Sequence, residues 1–290
     1  MPTTEPYDVL FVDQAENDKC ALPTPDDIDE AEILVKRSTG GTRLVRVRED
    51  YVIKFGFHVK PIEAQNALFV AKSTTIPVPK VYAIYQRQDG KLFITFIVMQ
   101  YIPGVTLQDL WGSLDTARKT AIAKTLHGYF DQLRGLRHPG YFGDIHGGPP
   151  LDDLFSATRA AYEIKTSIKT ENELIDWIIR MYSFEVGERM AHKIRYYRHV
   201  LPTVLRDADS SPVFTHNDFQ RKNVMVQPDG GLCIIDWEFS SWLPVYWEFT
   251  SATFSNGRWD DDWHDYVRVA LQEYPNQALW LGNMMLEMWS

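Results

Sequence analysis

Residues 213–239, VFTHNDFQRKNVMVQPDGGLCIIDWEF, constrain this chain more than any other stretch. Two apolar runs, Val224-Met225-Val226 and Leu232-Cys233-Ile234-Ile235, flank Pro228-Asp229-Gly230-Gly231. Glycine takes the positive φ angles that tight turns demand, so the pair reads as a hairpin. Polar residues then collect at its two outer ends, Asp218 and Asn223 before it, Asp236 and Glu238 after it. An amide and two carboxylates gathered this way are oxygen ligands for a hard cation such as Mg²⁺, with one carboxylate left over as a base.

The spacing His216-x-Asp218-x-x-x-x-Asn223, followed by an apolar strand ending at Asp236, resembles the catalytic centre of the kinase-like phosphotransferases. The nearest resemblance is to their aminoglycoside phosphotransferase and choline kinase branch, including its fungal-type small-molecule kinases. Protein kinases carry HRDxxxxN and then DFG, where this chain has HNDFQRKN and then Asp236-Trp237-Glu238. No Ala-Pro-Glu signature follows Asp236, which makes a protein kinase the lesser alternative. The resemblance implies an α+β, two-lobed protein-kinase-like fold: an N-terminal antiparallel sheet lobe with one main helix, and a mostly helical C-terminal lobe. It places a nucleotide-binding lobe at residues 1–102, with 1–23 as an irregular extension, and the catalytic and substrate sites at 103–290.

Composition narrows the partners. A chain of 290 residues with 44% hydrophobic and 24% charged residues is ordinary globular material. A formal charge of −9 argues against a polyanionic nucleic-acid partner and favours a cationic small molecule, although an acidic surplus also serves solubility alone. Cys20 and Cys233 offer neither a disulfide framework nor a thiolate metal site. With no basic leader and no apolar run of roughly 18 residues, the expectation is a cytoplasmic monomer without a membrane partner.

Along the chain, Thr24-Pro25-Asp26-Asp27 has the grammar of a helix start and predicts a short helix through Glu32. Three strands follow, Ile33–Lys36, Leu44–Val47 and Tyr51–Phe55, the first hairpin turning at Ser38-Thr39-Gly40-Gly41. Backbone N–H groups in such a turn suit a phosphate, although a Gly-Gly hairpin is first of all a hairpin; its place ahead of Lys54 gives it the functional reading. Pro61 opens an amphipathic helix with Glu63 in its first turn. In the kinase-like families a strand lysine bonds the α/β-phosphates and a helix glutamate holds it, and Lys54 and Glu63 fall where that pair belongs. Strands at Lys80–Tyr85 and Phe93–Met99 lead to a hinge, Gln100-Tyr101-Ile102-Pro103-Gly104, whose backbone near Gln100 and Ile102 suits an adenine edge.

Helices are expected at Thr116–Leu136, Leu154–Lys169 and Glu171–Leu201, the last opened by the capping box Thr170-x-x-Glu173. The tail is rich in aromatics and acids, and Trp242, Trp247 and Glu248, with Glu238, are candidate substrate contacts, because aromatic faces and carboxylates bind ammonium groups. The resemblance gives the rest. It implies transfer of the γ-phosphate of ATP to a small-molecule hydroxyl, with Asp218 as base, Asn223 and Asp236 on Mg²⁺, and Lys54, Glu63, the Ser38–Gly41 turn, Gln100 and Ile102 on the nucleotide. Aminoglycosides, choline-like amines, amino alcohols and sugars are all admissible acceptors, and a catalytically silent scaffold is the alternative from another class.

Overall fold

The computed structural model describes residues 7–28, 31–36, 41–152, 164–206, 211–255 and 260–288. The chain forms two compact units, Met1–Leu107 with Val224–Glu238, and Gln108–Asn223 with Phe239–Ser290. The division therefore falls at Leu107/Gln108 rather than 102/103, and the hairpin from Val224 groups with the sheet.

The first unit is built on a six-stranded antiparallel sheet. Its strands are β1 (Asp8–Val12), β2 (Glu32–Lys36), β3 (Arg43–Val47), β4 (Tyr51–Gly56), β5 (Val81–Asp89) and β6 (Leu92–Gln100), in the order β1-β5-β6-β4-β3-β2. Alternation decides which face each residue takes. Val45, Val47, Ile53, Ala83, Phe96 and Val98 are buried together on one face with Leu22. Lys54 follows Ile53 and so points to the other face, beside Ile97, its register partner on β6. Helix α2 (Pro61–Ser73) packs against β5 and β6. Proline at its first position has no N–H to leave unpaired, and buried Ala64, Ala67 and Val70 make its inner stripe.

Two expectations about the N-terminal region fail. Residues 8–12 are an edge strand paired with β5, not an irregular extension, and Asp13 caps the short helix α1 (Gln14–Asn17) after it by accepting the Glu16 N–H at 3.3 Å. The helix expected through Glu32 is only a 3₁₀ turn, Pro25–Ile28; the Asp27 carboxylate turns back to accept the Thr24 N–H at 2.7 Å, and Glu32 opens β2. An Asp that bonds backward in this way favours a tight turn over helix propagation. A smaller sheet completes the unit: β7 (Val105–Thr106), β9 (Val224–Val226) and β10 (Leu232–Ile234), in the order β10-β9-β7. Gly104 makes this pairing possible, because at φ 129° a Cβ there would lie 2.1 Å from the Val226 carbonyl oxygen.

The second unit is mostly helical. It contains α3 (Thr116–Arg134), α4 (Glu171–Val186), α5 (Ala191–Leu205), α6 (Trp247–Ser255), α7 (Trp263–Ala270) and α8 (Pro275–Met288), with β8 (Pro212–Thr215) and β11 (Ser241–Pro244) as an antiparallel pair. The Thr170–Glu173 capping box forms as read. The single helix expected over 171–201 is interrupted at Gly187, whose φ of 64° ends α4 before α5 begins at Ala191. Of the helix expected at Leu154–Lys169, residues 153–163 lie outside the described residues; Ile168 forms a β-bridge with Phe142 instead. The core joins Leu174, Ile178, Tyr182, Leu201, Tyr246, Trp247, Leu281 and Met285. Among the described residues no helix is long and apolar enough to cross a membrane.

Candidate functional site

In the first unit, Lys54 on β4 meets Glu63 on α2 and Asp236 just past β10. Its ammonium is 2.8 Å from the Glu63 carboxylate and 2.7 Å from Asp236 Oδ1. Helix α2 grips this segment a second time: Asn66, one turn beyond Glu63, donates its amide N–H to the Trp237 carbonyl at 2.9 Å. The Ile234 N–H donates to Pro77 O at 2.9 Å, which fixes the strand that delivers Asp236. Asp236 itself has φ 68°, a left-handed conformation that a non-glycine residue adopts only under surrounding constraint.

Ligand oxygens of Glu63, Asp236 and Glu238 lie within 4.8 Å of one another. Three carboxylates face one ammonium, so negative charge is in excess. Burial raises the Glu63 carboxyl above its ordinary range against the attraction of Lys54, and the charges of Asp236 and Glu238 add to the rise. Lys54 loses by burial but gains more from Glu63, Asp236 and Glu238, and is held charged above its usual range. A hard divalent cation suits such a donor set, since carboxylate oxygens in excess of their counter-charge are what Mg²⁺ selects.

In the second unit, β8 leads into His216-Asn217-Asp218 and a 3₁₀ turn, Arg221–Asn223. Asn217 has φ 67°, and the buried Glu248 carboxylate at the start of α6 holds it there, accepting the His216 N–H at 2.6 Å and the Asn217 N–H at 3.1 Å. The Asn217 amide donates to Leu151 O at 2.8 Å, and the Ser240 hydroxyl to His216 O at 3.2 Å. The His216 ring acts locally, its Nδ1 accepting the Asp218 N–H at 3.3 Å.

Asp218 is mostly buried and its carboxylate is oriented from both sides. Oδ1 accepts from the Gln220 amide, and Oδ2 from the Asn223 amide at 2.7 Å. Asn223 also donates to Asp218 O at 2.9 Å. Because a carboxylate only accepts, it is the Asn223 nitrogen and not its Oδ1 that must face Asp218. Phe219, next after Asp218, is buried against Phe130 and Trp263 at 4.6 and 5.5 Å between ring centres.

Of the candidate substrate contacts, Trp242, Trp247 and Glu248 are buried. Trp242 is buried against Phe214 across the β8–β11 pair, and Trp247 is fully buried in the helical core. Glu248 is the brace just described, and Glu238 stands with Glu63 and Asp236. In the tail, Asp261 pairs with Arg221 at 2.6 Å and Asp262 with Lys119 at 2.8 Å, so these acids already have cations. Of the expected phosphate turn, Ser38, Thr39 and Gly40 lie outside the described residues; Gly41, with φ 70°, precedes β3. At the hinge, the Gln100 N–H donates to Lys80 O and the Tyr101 N–H to Asp50 O, both at 2.8 Å, so the Gln100 backbone N–H is already paired. Ile102 follows these two pairs. Sequence reasoning passed over Asn66, Gln220 and Lys222; an asparagine one turn after Glu63 on an otherwise apolar stripe was the one readable signal.

A family model described as a phosphotransferase enzyme family matches residues 37–280. No curated protein matches the chain in sequence. Among solved structures, a thermostable mutant of aminoglycoside phosphotransferase APH(4)-Ia superposes with a TM-score of 0.60 at 18% identity, over 89% of this chain and 84% of the other. The ADP-bound aminoglycoside phosphotransferase APH(2'')-Ib gives 0.57 at 16%, over 94% and 84%. The streptomycin–ATP complex of APH(2'')-IIa gives 0.51 at 15%, over 82% and 73%. At these identities the likeness is one of fold.

Proposed function

Since this chain belongs to the phosphotransferase enzyme family, we propose that it transfers the γ-phosphoryl group of ATP to a hydroxyl of a small molecule. The observation that carries this reading is Asp218, a carboxylate oriented by Gln220 and Asn223 with Lys222 beside it at 3.4 Å. The acceptor hydroxyl gives its proton to Asp218 as its oxygen bonds the γ-phosphorus, and the bond from that phosphorus to the bridging oxygen breaks to release ADP. Lys54, held by Glu63 and Asp236, binds the α/β-phosphates, and the backbone of Ile102 takes the adenine edge. Asn223 Oδ1 and Asp236 would hold Mg²⁺, which supplies charge neutralisation to the phosphates when bound.

The nucleotides and antibiotics of APH(2'')-Ib and APH(2'')-IIa support ATP and a small-molecule acceptor. An amine-bearing acceptor is supported by the −9 net charge, not by Asp261 and Asp262, which are paired with Arg221 and Lys119. A silent scaffold has no use for Lys54, Asp218, Asn223 and Asp236 together. The test is coupled ADP release over hydroxylated amines, sugars and neutral alcohols, with Asp218→Asn alongside. If no acceptor raises ADP release above the rate in water alone, the proposal fails.

A further inference from the structure

Lys222 sits in the 3₁₀ turn beside the residues that orient Asp218, with its ammonium 3.4 Å from Asp218 Oδ2. An ammonium that holds a carboxylate closes to roughly 2.7–2.9 Å. Lys54 is the example in this chain, at 2.7 and 2.8 Å from two carboxylates with its side chain 15% exposed. The Lys222 side chain is 40% exposed and stands off. Asp218 does not depend on it for orientation, because Gln220 and Asn223 supply a donor to each oxygen. Nor does the turn, which Arg221 anchors through Asp261 at 2.6 Å and through the faces of Trp111 and Trp263, each 5.5 Å from its guanidinium carbon. A cation with three N–H donors is therefore kept beside the candidate base without a bracing duty.

We infer that Lys222 binds the phosphoryl group in transit. A hydroxyl bonded to Asp218 brings the phosphorus it attacks, with its charged oxygens, toward a carboxylate. Like charges approaching in this way need a cation beside them, and Lys222 is placed there on a flexible stem. It makes and breaks no covalent bond: the acceptor proton goes to Asp218, the new O–P bond forms, the bond to ADP breaks, and Lys222 keeps its protons throughout. The role rests on the reading of Asp218 as base, since the hydroxyl held there is what brings the phosphoryl group within reach.

The test measures binding of Mg·ADP and Mg·AMP-PNP to the full chain by calorimetry, for wild type, Lys222→Met and Lys222→Arg. AMP-PNP presents a third phosphoryl group that is not transferred. Lys222→Met should lose roughly tenfold in affinity for Mg·AMP-PNP, the scale of one hydrogen bond to a charged group, while Mg·ADP stays within about twofold and serves as the control for folding. Lys222→Arg, which keeps the cation, should recover most of the loss. Equal losses for both nucleotides, or no loss for either, would overturn the role of Lys222 alone if wild type binds Mg·AMP-PNP. Wild type that binds neither nucleotide would overturn the phosphotransfer reading and this inference with it.

Discussion

Glu248→Gln separates stability from activity in a way that a buried, titrating brace predicts. Burial pushes the Glu248 carboxyl up from the ordinary 4.5 to about 7, opposed by the His216 N–H, the Arg134 cation and the Asn217 N–H, and reinforced by the charge of Asp218. The folded state therefore holds the proton more tightly than the unfolded chain does. The contribution of Glu248 to stability is fully present below about 4.5 and is lost as pH rises through about 7. At about 1.36 kcal/mol per decade of proton affinity, wild type should lose about 2.5 kcal/mol between pH 5 and pH 8 on this account. Glutamine does not titrate, so the difference in stability between wild type and variant, from urea melts at the two pH values, should change by that amount in favour of the variant.

Activity should move the other way. Glutamine has one oxygen for two backbone N–H groups now accepted at 2.6 and 3.1 Å, so one N–H meets an amide donor. A buried unpaired N–H costs about 1–3 kcal/mol, enough to shift the Asn217–Asp218 turn and lower turnover roughly 5- to 150-fold. A stability difference that is constant from pH 5 to pH 8, with wild-type ADP release in the variant, would refute the reasoning.

Three other substitutions discriminate the remaining roles. Asp218→Asn should lower ADP release by about 10²–10⁴ with Mg·ATP affinity near wild type; unaltered turnover contradicts its role as base. Asp236→Ala removes a carboxylate from Lys54 and from the cation site, and Mg²⁺-dependent nucleotide affinity by calorimetry should be lost; equal affinity with and without Mg²⁺ in wild type, or no change in the variant, speaks against the metal assignment. Gly104→Ala drives a Cβ to 2.1 Å from Val226 O at a φ of 129°, and should cost about 2–4 kcal/mol in a urea melt, where a wild-type midpoint would show that the hinge yields freely.

Where local chemistry settled the fold, the chain could be read directly. The turn-bounded apolar runs Leu44–Val47 and Tyr51–Phe55, the Asp-Gly-Gly turn and the Thr170–Glu173 box each leave one favourable local structure, and each is found. The elements misread were those whose neighbours are distant in sequence. Residues 8–12 become a strand because β5 offers an open edge, and nothing nearby in sequence reveals that edge. Gly187 was legible in principle, since an isolated glycine inside a helical pattern is a plausible C-cap, but the apolar stripe ran on through it.

The site divides along the same line, and the division explains which carboxylates were misassigned. Asp218, Asn223, Lys54 and Asp236 are singled out by motif spacing, and Lys54 reaches Glu63 because alternation turns it away from Ile53. For the tail acids, residue type alone is silent, because what a carboxylate can do depends on what it already accepts. Glu248 accepts two backbone N–H groups and is used up as a brace, while Asp261 and Asp262 are matched by Arg221 and Lys119. Lysines sort by the same rule. Lys119 is matched by Asp262 at 2.8 Å, whereas Lys222 stands 3.4 Å from Asp218 with its side chain 40% exposed. In a chain with more acids than bases, what a charged group can offer a ligand depends on what the fold has already set beside it, and that pairing is visible only once the fold is known.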